Sequence, residues 1–178
     1  MTERHYIPVV IRGLAIDPES RQPVLMLQDL TERLVLPIWI GPAEAAAIAA
    51  RITEQRPARP LTPDLAHAML ERLGASVERL DIRGVEDGVF FGDLLVRDRE
   101  GRVHRFDCRP SDGVAMVVRS GGLIRVERAV METARPLVEE EPTVQAAPLT
   151  VNADDASGRQ RLLDALADLD PEDLGYKM

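Results

Sequence analysis

Lysine is nearly missing from this 178-residue chain: Lys177 stands alone, so the cations before it are arginines and histidines. Arginine suits bidentate phosphate contacts better than lysine does, although avoidance of lysine along a whole chain also follows from genomic base composition. Aromatic residues make up only 3% against 45% apolar residues. The core must therefore be built from Val, Leu, Ile, Ala and Met, and a base-stacking platform for single-stranded nucleic acid is not expected. Cys108 is the lone cysteine, which excludes a disulfide framework and a thiolate zinc cluster. No apolar run approaches the ~18 residues needed to span a bilayer, and the polar start Met1-Thr2-Glu3-Arg4-His5 lacks a signal-peptide core. A cytoplasmic protein without a membrane segment is the expectation. A Walker loop and a Gly-x-Gly-x-x-Gly fingerprint are also lacking, and Ser111 has no Gly-x-Ser-x-Gly context.

The formal charge is -8, but it is unevenly placed. Residues 139–178 carry ten acids against Arg159, Arg161 and Lys177, which leaves 20 acids and 19 bases in residues 1–138. The body is close to neutral and the tail is acidic. Residues 1–138 form the expected domain, 139–158 an acidic, Pro-containing linker, and 159–178 a short amphipathic tail with Leu162, Leu163, Leu166 and Leu169 at helical spacing.

Along the body, Ile7–Ile16 and Val24–Leu30 are β-leaning runs around the turn-rich stretch Asp17–Pro23, and Leu34–Ile40 follows as a third strand. Gly41-Pro42 then opens an alanine-rich helix to about Gln55, and a second helix is expected from Thr62, as N-cap, to Gly74. Ser76–Val85, Val89–Val96 and Val103–Asp107, separated by Asp87-Gly88 and Asp98-Arg99-Glu100-Gly101, make a second meander. Ser111 would cap a third helix to about Arg119, with a strand at Leu123–Val126 and a last helix near Ala129–Val138. Strands and helices are segregated, which predicts an α+β fold of largely antiparallel sheets, two strand meanders packed with three to four helices, plus the acidic tail.

Three stretches set a carboxylate at a helix start beside a proline: Gly41-Pro42-Ala43-Glu44, Arg59-Pro60-Leu61-Thr62-Pro63-Asp64 and Asp107-Cys108-Arg109-Pro110-Ser111-Asp112. Glu44, Asp64, Asp107 and Asp112 supply the oxygen ligands that Mg²⁺ or Mn²⁺ prefers, and such an ion could polarise a phosphodiester and lower the pKa of a bound water. Arg59 and Arg109 each precede a proline, which holds the backbone extended and aims the side chain at a phosphate. Ser111 and Thr62 add hydroxyls at helix starts, where unpaired N–H groups also favour anions. Each acid has a plainer reading as well: Glu44, Asp64 and Asp112 complement helix dipoles, and Asp107 pairs with Arg109. His67, three residues after Asp64, reads as a general base or as a structural histidine.

Taken in order and spacing, Leu36-Pro37-Ile38-Trp39-Ile40-Gly41-Pro42-Ala43-Glu44-Ala45, Arg59–Leu65 and Asp107–Asp112 resemble the bifunctional nuclease domain family of bacteria and plants, over roughly residues 5–135. The tail Leu169-Asp170-Pro171-Glu172-Asp173-Leu174 is also similar to that of bacterial members. The resemblance implies nuclease activity on DNA and RNA and self-association into a homo-oligomer. The family pattern has His at the place of Pro63 and Ala at those of Cys108 and Gly113, so a histidine-based mechanism does not carry over and the acidic set remains. The combined expectation is divalent-metal-assisted phosphodiester hydrolysis, with Asp107, Asp112, Asp64 and Glu44 on the metal and Arg59, Arg109, Ser111 and Thr62 on the substrate. The alternative is a non-catalytic binding or adaptor module whose acidic tail engages a protein partner. In a third arrangement the tail covers the site as a nucleic-acid mimic.

Overall fold

A computed structural model describes residues 4–31, 33–55, 57–133 and 135–136. The chain opens with the expected meander: β1 (Tyr6–Ile16), β2 (Pro23–Asp29) and β3 (Leu34–Trp39), consecutive and antiparallel. Pro42 occupies the first turn of α1 (Pro42–Ile52), where its missing N–H has no partner to lose. After a proline-bearing loop, α2 (Thr62–Arg72) leads into the second meander of β4 (Ser76–Glu86), β5 (Val89–Arg97) and β6 (Val103–Cys108). Then come α3 (Pro110–Ser120), β7 (Leu123–Glu127), the single turn α4 (Arg128–Met131) and the two-residue β8 (Arg135–Pro136).

The two meanders form one sheet rather than two. Its order is β6-β5-β4-β7-β1-β2-β3-β8, and β7 is the seam, antiparallel to β1 and parallel to β4. All the other pairings are antiparallel. The architecture is α+β with a mostly antiparallel sheet and four helices among the described residues.

Alternation along the strands sends Leu25, Leu27, Leu36, Leu80, Ile82, Ile124 and Val126 to one face, where α1, α3 and α4 meet them through Ala45, Ile48, Val114, Val117, Val130 and Met131. Each of the Leu, Ile, Val and Met side chains among them stabilises the fold by roughly 1.5–3 kcal/mol. The opposite face carries Arg125, Asp81, Asp93 and Asp107 as successive cross-strand neighbours, with Arg79 and Arg83 tying the row together.

Four local expectations change. α1 ends at Ile52 rather than near Gln55. Thr62 is the first residue of α2 and exposed, not its cap; the N-cap is Leu61, whose N–H donates to Asp64 Oδ2 at 2.8 Å. Ser111 likewise lies inside α3, buried, and Arg109 holds the N-cap. The helix expected over Ala129–Val138 is one turn, because Arg135 and Pro136 pair with Val35 and Leu34 instead. The proposed linker at 139–158 and the tail at 159–178 lie outside the described residues. No described helix is long and apolar enough to cross a membrane.

Candidate functional site

Helices α1 and α3 lie side by side with their starts together, since Glu44 in the first turn of α1 meets Arg109 at the start of α3. The Arg109 guanidinium donates from Nη2 to Glu44 Oε1 at 2.6 Å, and from Nε and Nη2 to Asp112 Oδ2 and Oδ1 at 2.7 and 3.1 Å. Pro110 fixes the extended backbone of Arg109, φ -68° and ψ 145°, from which the side chain folds over its own helix start. The two carboxylates, Asp112 first and then Glu44, raise the pKa of Arg109 beyond its already high value. Arg109 nonetheless leaves 62% of its side chain exposed, while Glu44 keeps only 12%.

The other acids of the expected set stand elsewhere. Asp64 sits at the start of α2, which meets the far end of α3, and pairs with Arg119 Nε at 2.7 Å. Asp112 and Arg119 are seven residues apart on α3, about 10 Å of helix. The Arg119 hydrogen bond, with smaller help from the Leu61 N–H and the Arg51 charge, holds the Asp64 carboxyl below the usual carboxylate range. Asp107, near the end of β6, takes a 2.6 Å bond from Arg83 Nη2, an arginine that also serves Asp93 at 3.1 Å. The structure thus brings Glu44, Arg109 and Asp112 together and places Asp64 and Asp107 on arginines of their own. Among the described residues no three of His, Cys, Asp and Glu are grouped to hold a metal ion.

Of the expected substrate contacts, Arg109 is at this centre. Arg59 and Thr62 are exposed at the approach to α2, and Ser111 is buried in the first turn of α3. His67 bonds no described partner through its buried Nδ1, and its Nε2 lies 3.5 Å from Glu71.

Sequence reasoning missed Arg119. Its side chain is 4% exposed, and besides Asp64 it donates to the Ala115 and Ala47 carbonyls at 2.7 and 3.2 Å, joining α1, α2 and α3. The available signal was an arginine directly after Val114-Ala115-Met116-Val117-Val118, an apolar run in which a charge needs an acid from elsewhere. Arg119, Asp64, Arg51 and Gln55 line an open cleft of about 250 Å³ together with Pro57 and Pro60. Cys108, between the two ends of the β6–α3 turn, has its thiol pushed up to about 11 by burial and then by Asp112 and Asp107.

Fold and centre together define an α+β domain with an arginine clamped between carboxylates where two helices begin. The bifunctional nuclease domain pattern matches residues 25–139, and the chain belongs to that family. It is also 36% identical over 159 residues, 89% of this chain and 94% of the relative, to the uncharacterized protein Rv1829 of Mycobacterium tuberculosis strain H37Rv. The same figures hold for the uncharacterized protein MT1877 of strain CDC 1551.

Proposed function

We propose that the chain is a nuclease that hydrolyses phosphodiester bonds of DNA and RNA with divalent-metal assistance at the Glu44–Arg109–Asp112 centre. The observation that carries this reading is Arg109 itself, aimed by two carboxylates yet open to solvent over most of its surface. A guanidinium held in one orientation offers its remaining N–H groups to a phosphodiester oxygen without reorganising, and it offsets charge that develops there in the transition state. Arg59, exposed beside the start of α2, is the second phosphate contact.

Arg109 bonds three of the four oxygens of this carboxylate pair, so a hard cation would enter through the remaining Glu44 oxygen or by displacing part of the guanidinium fork. Mg²⁺ is commonly held by one or two carboxylates together with substrate phosphate and water. Glu44 and Asp112 would hold Mg²⁺ or Mn²⁺, and the ion would supply Lewis-acid polarisation and a bound water of lowered pKa. Asp112 and Glu44 fix the guanidinium fork in the free protein, and Ser111 is buried in the first turn of α3, which also carries Asp112.

Cleavage of single-stranded DNA and of RNA, with Mg²⁺, with Mn²⁺ and with a chelator, tests the reading. Arg109→Ala and Asp112→Asn are expected to lower the rate by about 10²–10³-fold, the usual loss when one pre-aimed charge-stabilising donor goes. Equal cleavage by wild type and both variants would trace the activity to a contaminant and end the proposal. A second reading, a binding module without catalysis, draws support from the near balance of charge in residues 1–138 and from arginine partners on every acid of the set. It expects nucleic acid or another anion to bind with Arg109 intact and no product to form.

A further inference from the structure

We propose that the exposed apolar stripe of α2 is the seat of the chain's own segment 161–169, which lies outside the described residues. None of the residues of α2 is buried. Its inner side, Ala66 and Leu70, rests on the core, while Leu65, Met69 and Leu73 are 52%, 54% and 71% exposed. At spacings of four they form one continuous row on the outer side. Three large apolar side chains in a row on a helix with so little of its own surface covered mark an interaction face rather than scattered surface residues.

Charge frames this row. Arg59 precedes the helix and Arg72 closes it, both exposed and both without an ion pair among the described residues. The Cβ of Arg99 lies beside Gly74, just past the last turn. Arginines therefore stand at both ends of the row.

Segment 161–169 presents the complementary pattern. Leu162, Leu166 and Leu169 recur at helical spacing with Leu163 beside them; Asp168, Asp170, Glu172 and Asp173 make the C-terminal end of the segment acidic, while Arg159 and Arg161 offset Asp154 and Asp155 at its start. An apolar stripe with one acidic end matches an apolar row that carries arginine at each end, so the acidic end meets an arginine in either orientation. Reach is no obstacle, because the 24 residues between Pro136 and Arg161 can extend to about 80 Å.

Size decides between this occupant and a second copy of the chain. An 11-residue helix is about 16 Å long, too short to supply the ~800 Å² per partner of a standard stable interface. A tethered segment does not need that area, since its effective concentration is in the millimolar range. The proposal does not rest on the nuclease reading, although both draw on the exposed Arg59.

Disulfide trapping in the full chain tests it. With Cys108 replaced by Ala, Met69→Cys and Leu166→Cys place one thiol at the middle of each apolar face, so that either orientation brings them together. The expected result under mild oxidation is an intramolecular disulfide in a monomer, with none formed between Leu166→Cys and Val10→Cys on the opposite face of the sheet. Covalent dimers from Met69→Cys alone would assign the face to a second copy and overturn the proposal, as would equal trapping by the Val10→Cys control. Hydrogen exchange supplies a readout free of cysteines: amides of 161–169 should exchange about tenfold more slowly in the wild type than in Met69→Asp, the protection given by a contact whose dissociation constant is about a tenth of a millimolar effective concentration. Met69 is exposed, so this variant keeps its core, which unchanged exchange in α3 will verify. Identical exchange of 161–169 in the two proteins overturns the proposal.

Discussion

Arg119 is a charge with almost no water around it, and its three acceptors come from three places in the chain: Asp64, Ala47 and Ala115. Removing the one anionic partner leaves a buried guanidinium with two carbonyls, an arrangement that costs far more than an ordinary surface pair returns. Asp64→Asn is therefore expected to destabilise the fold by about 2 kcal/mol, less than for a fully buried pair because Asp64 is one-third exposed. Urea titration of both proteins measures this. The sign with pH follows from the direction of the shift. The folded carboxyl titrates below its ordinary 3.8, so its stabilisation is complete above that value and is lost as pH falls through the lower folded one. The acid limb of stability should be flatter in Asp64→Asn, and an unchanged limb would show that the pair contributes nothing. Cys108 makes the complementary case. Pushed up to about 11 by burial and its acidic neighbours, it holds almost no thiolate at neutral pH, so iodoacetamide should label it at least tenfold more slowly than an exposed cysteine of ordinary pKa. Labelling at the ordinary rate would mean that the β6–α3 turn opens readily.

At the scale of elements, the seam strand is the vulnerable one. Strand β7 joins the two meanders, and Gly122 just before it lets the chain pass so near β4 that an added Cβ would lie 2.7 Å from the Glu78 carbonyl oxygen. The obstacle is backbone and cannot rotate away. Gly122→Ala should cost about 1–3 kcal/mol, lowering the denaturation midpoint by several degrees, whereas a neutral result would place the seam elsewhere. This seam was not legible in the sequence. Period-two apolar runs, Asp87-Gly88 and the Pro42 and Pro63 helix starts locate the strands and helices to within a few residues, because those signals are local. That β7 joins both meanders, and runs parallel to β4, depends on pairing between residues far apart in the chain, as in Arg79 with Leu123 and Tyr6 with Glu127. The one-turn length of α4 escaped for the same reason, since the pairing of Arg135 with Val35 competes for that stretch. The helix starts did point to a centre. Their recurrence raises the expectation that all three meet in one site; two of the starts meet at Arg109, 65 residues from Glu44, whereas the arginine partners of Asp64 and Asp107 come from an apolar helix and a distant strand, with no motif to announce them.

For the whole molecule, the distribution of charge limits how a nucleic acid can be held. Residues 1–138 are nearly balanced, and most arginines on the sheet's charged face are already committed to Asp81, Asp93 and Asp107. Long-range attraction of a polyanion is therefore weak, and under the proposed function the contacts that hold a strand are local. If Arg109 and Arg59 are the phosphate contacts, about two counterions leave a single strand on binding, and log K should fall against log salt with a slope of about -1.4. A tenfold rise in salt then weakens binding about 25-fold, against many thousand-fold for a protein with a broad basic groove. Fluorescence anisotropy of labelled single-stranded DNA over a salt series reads the slope directly, and Arg109→Ala should reduce it by about 0.7. A slope several times steeper would mean that a cationic surface outside this centre holds the strand, and a slope of zero would remove the phosphate from Arg109 and with it the basis for the proposed hydrolysis.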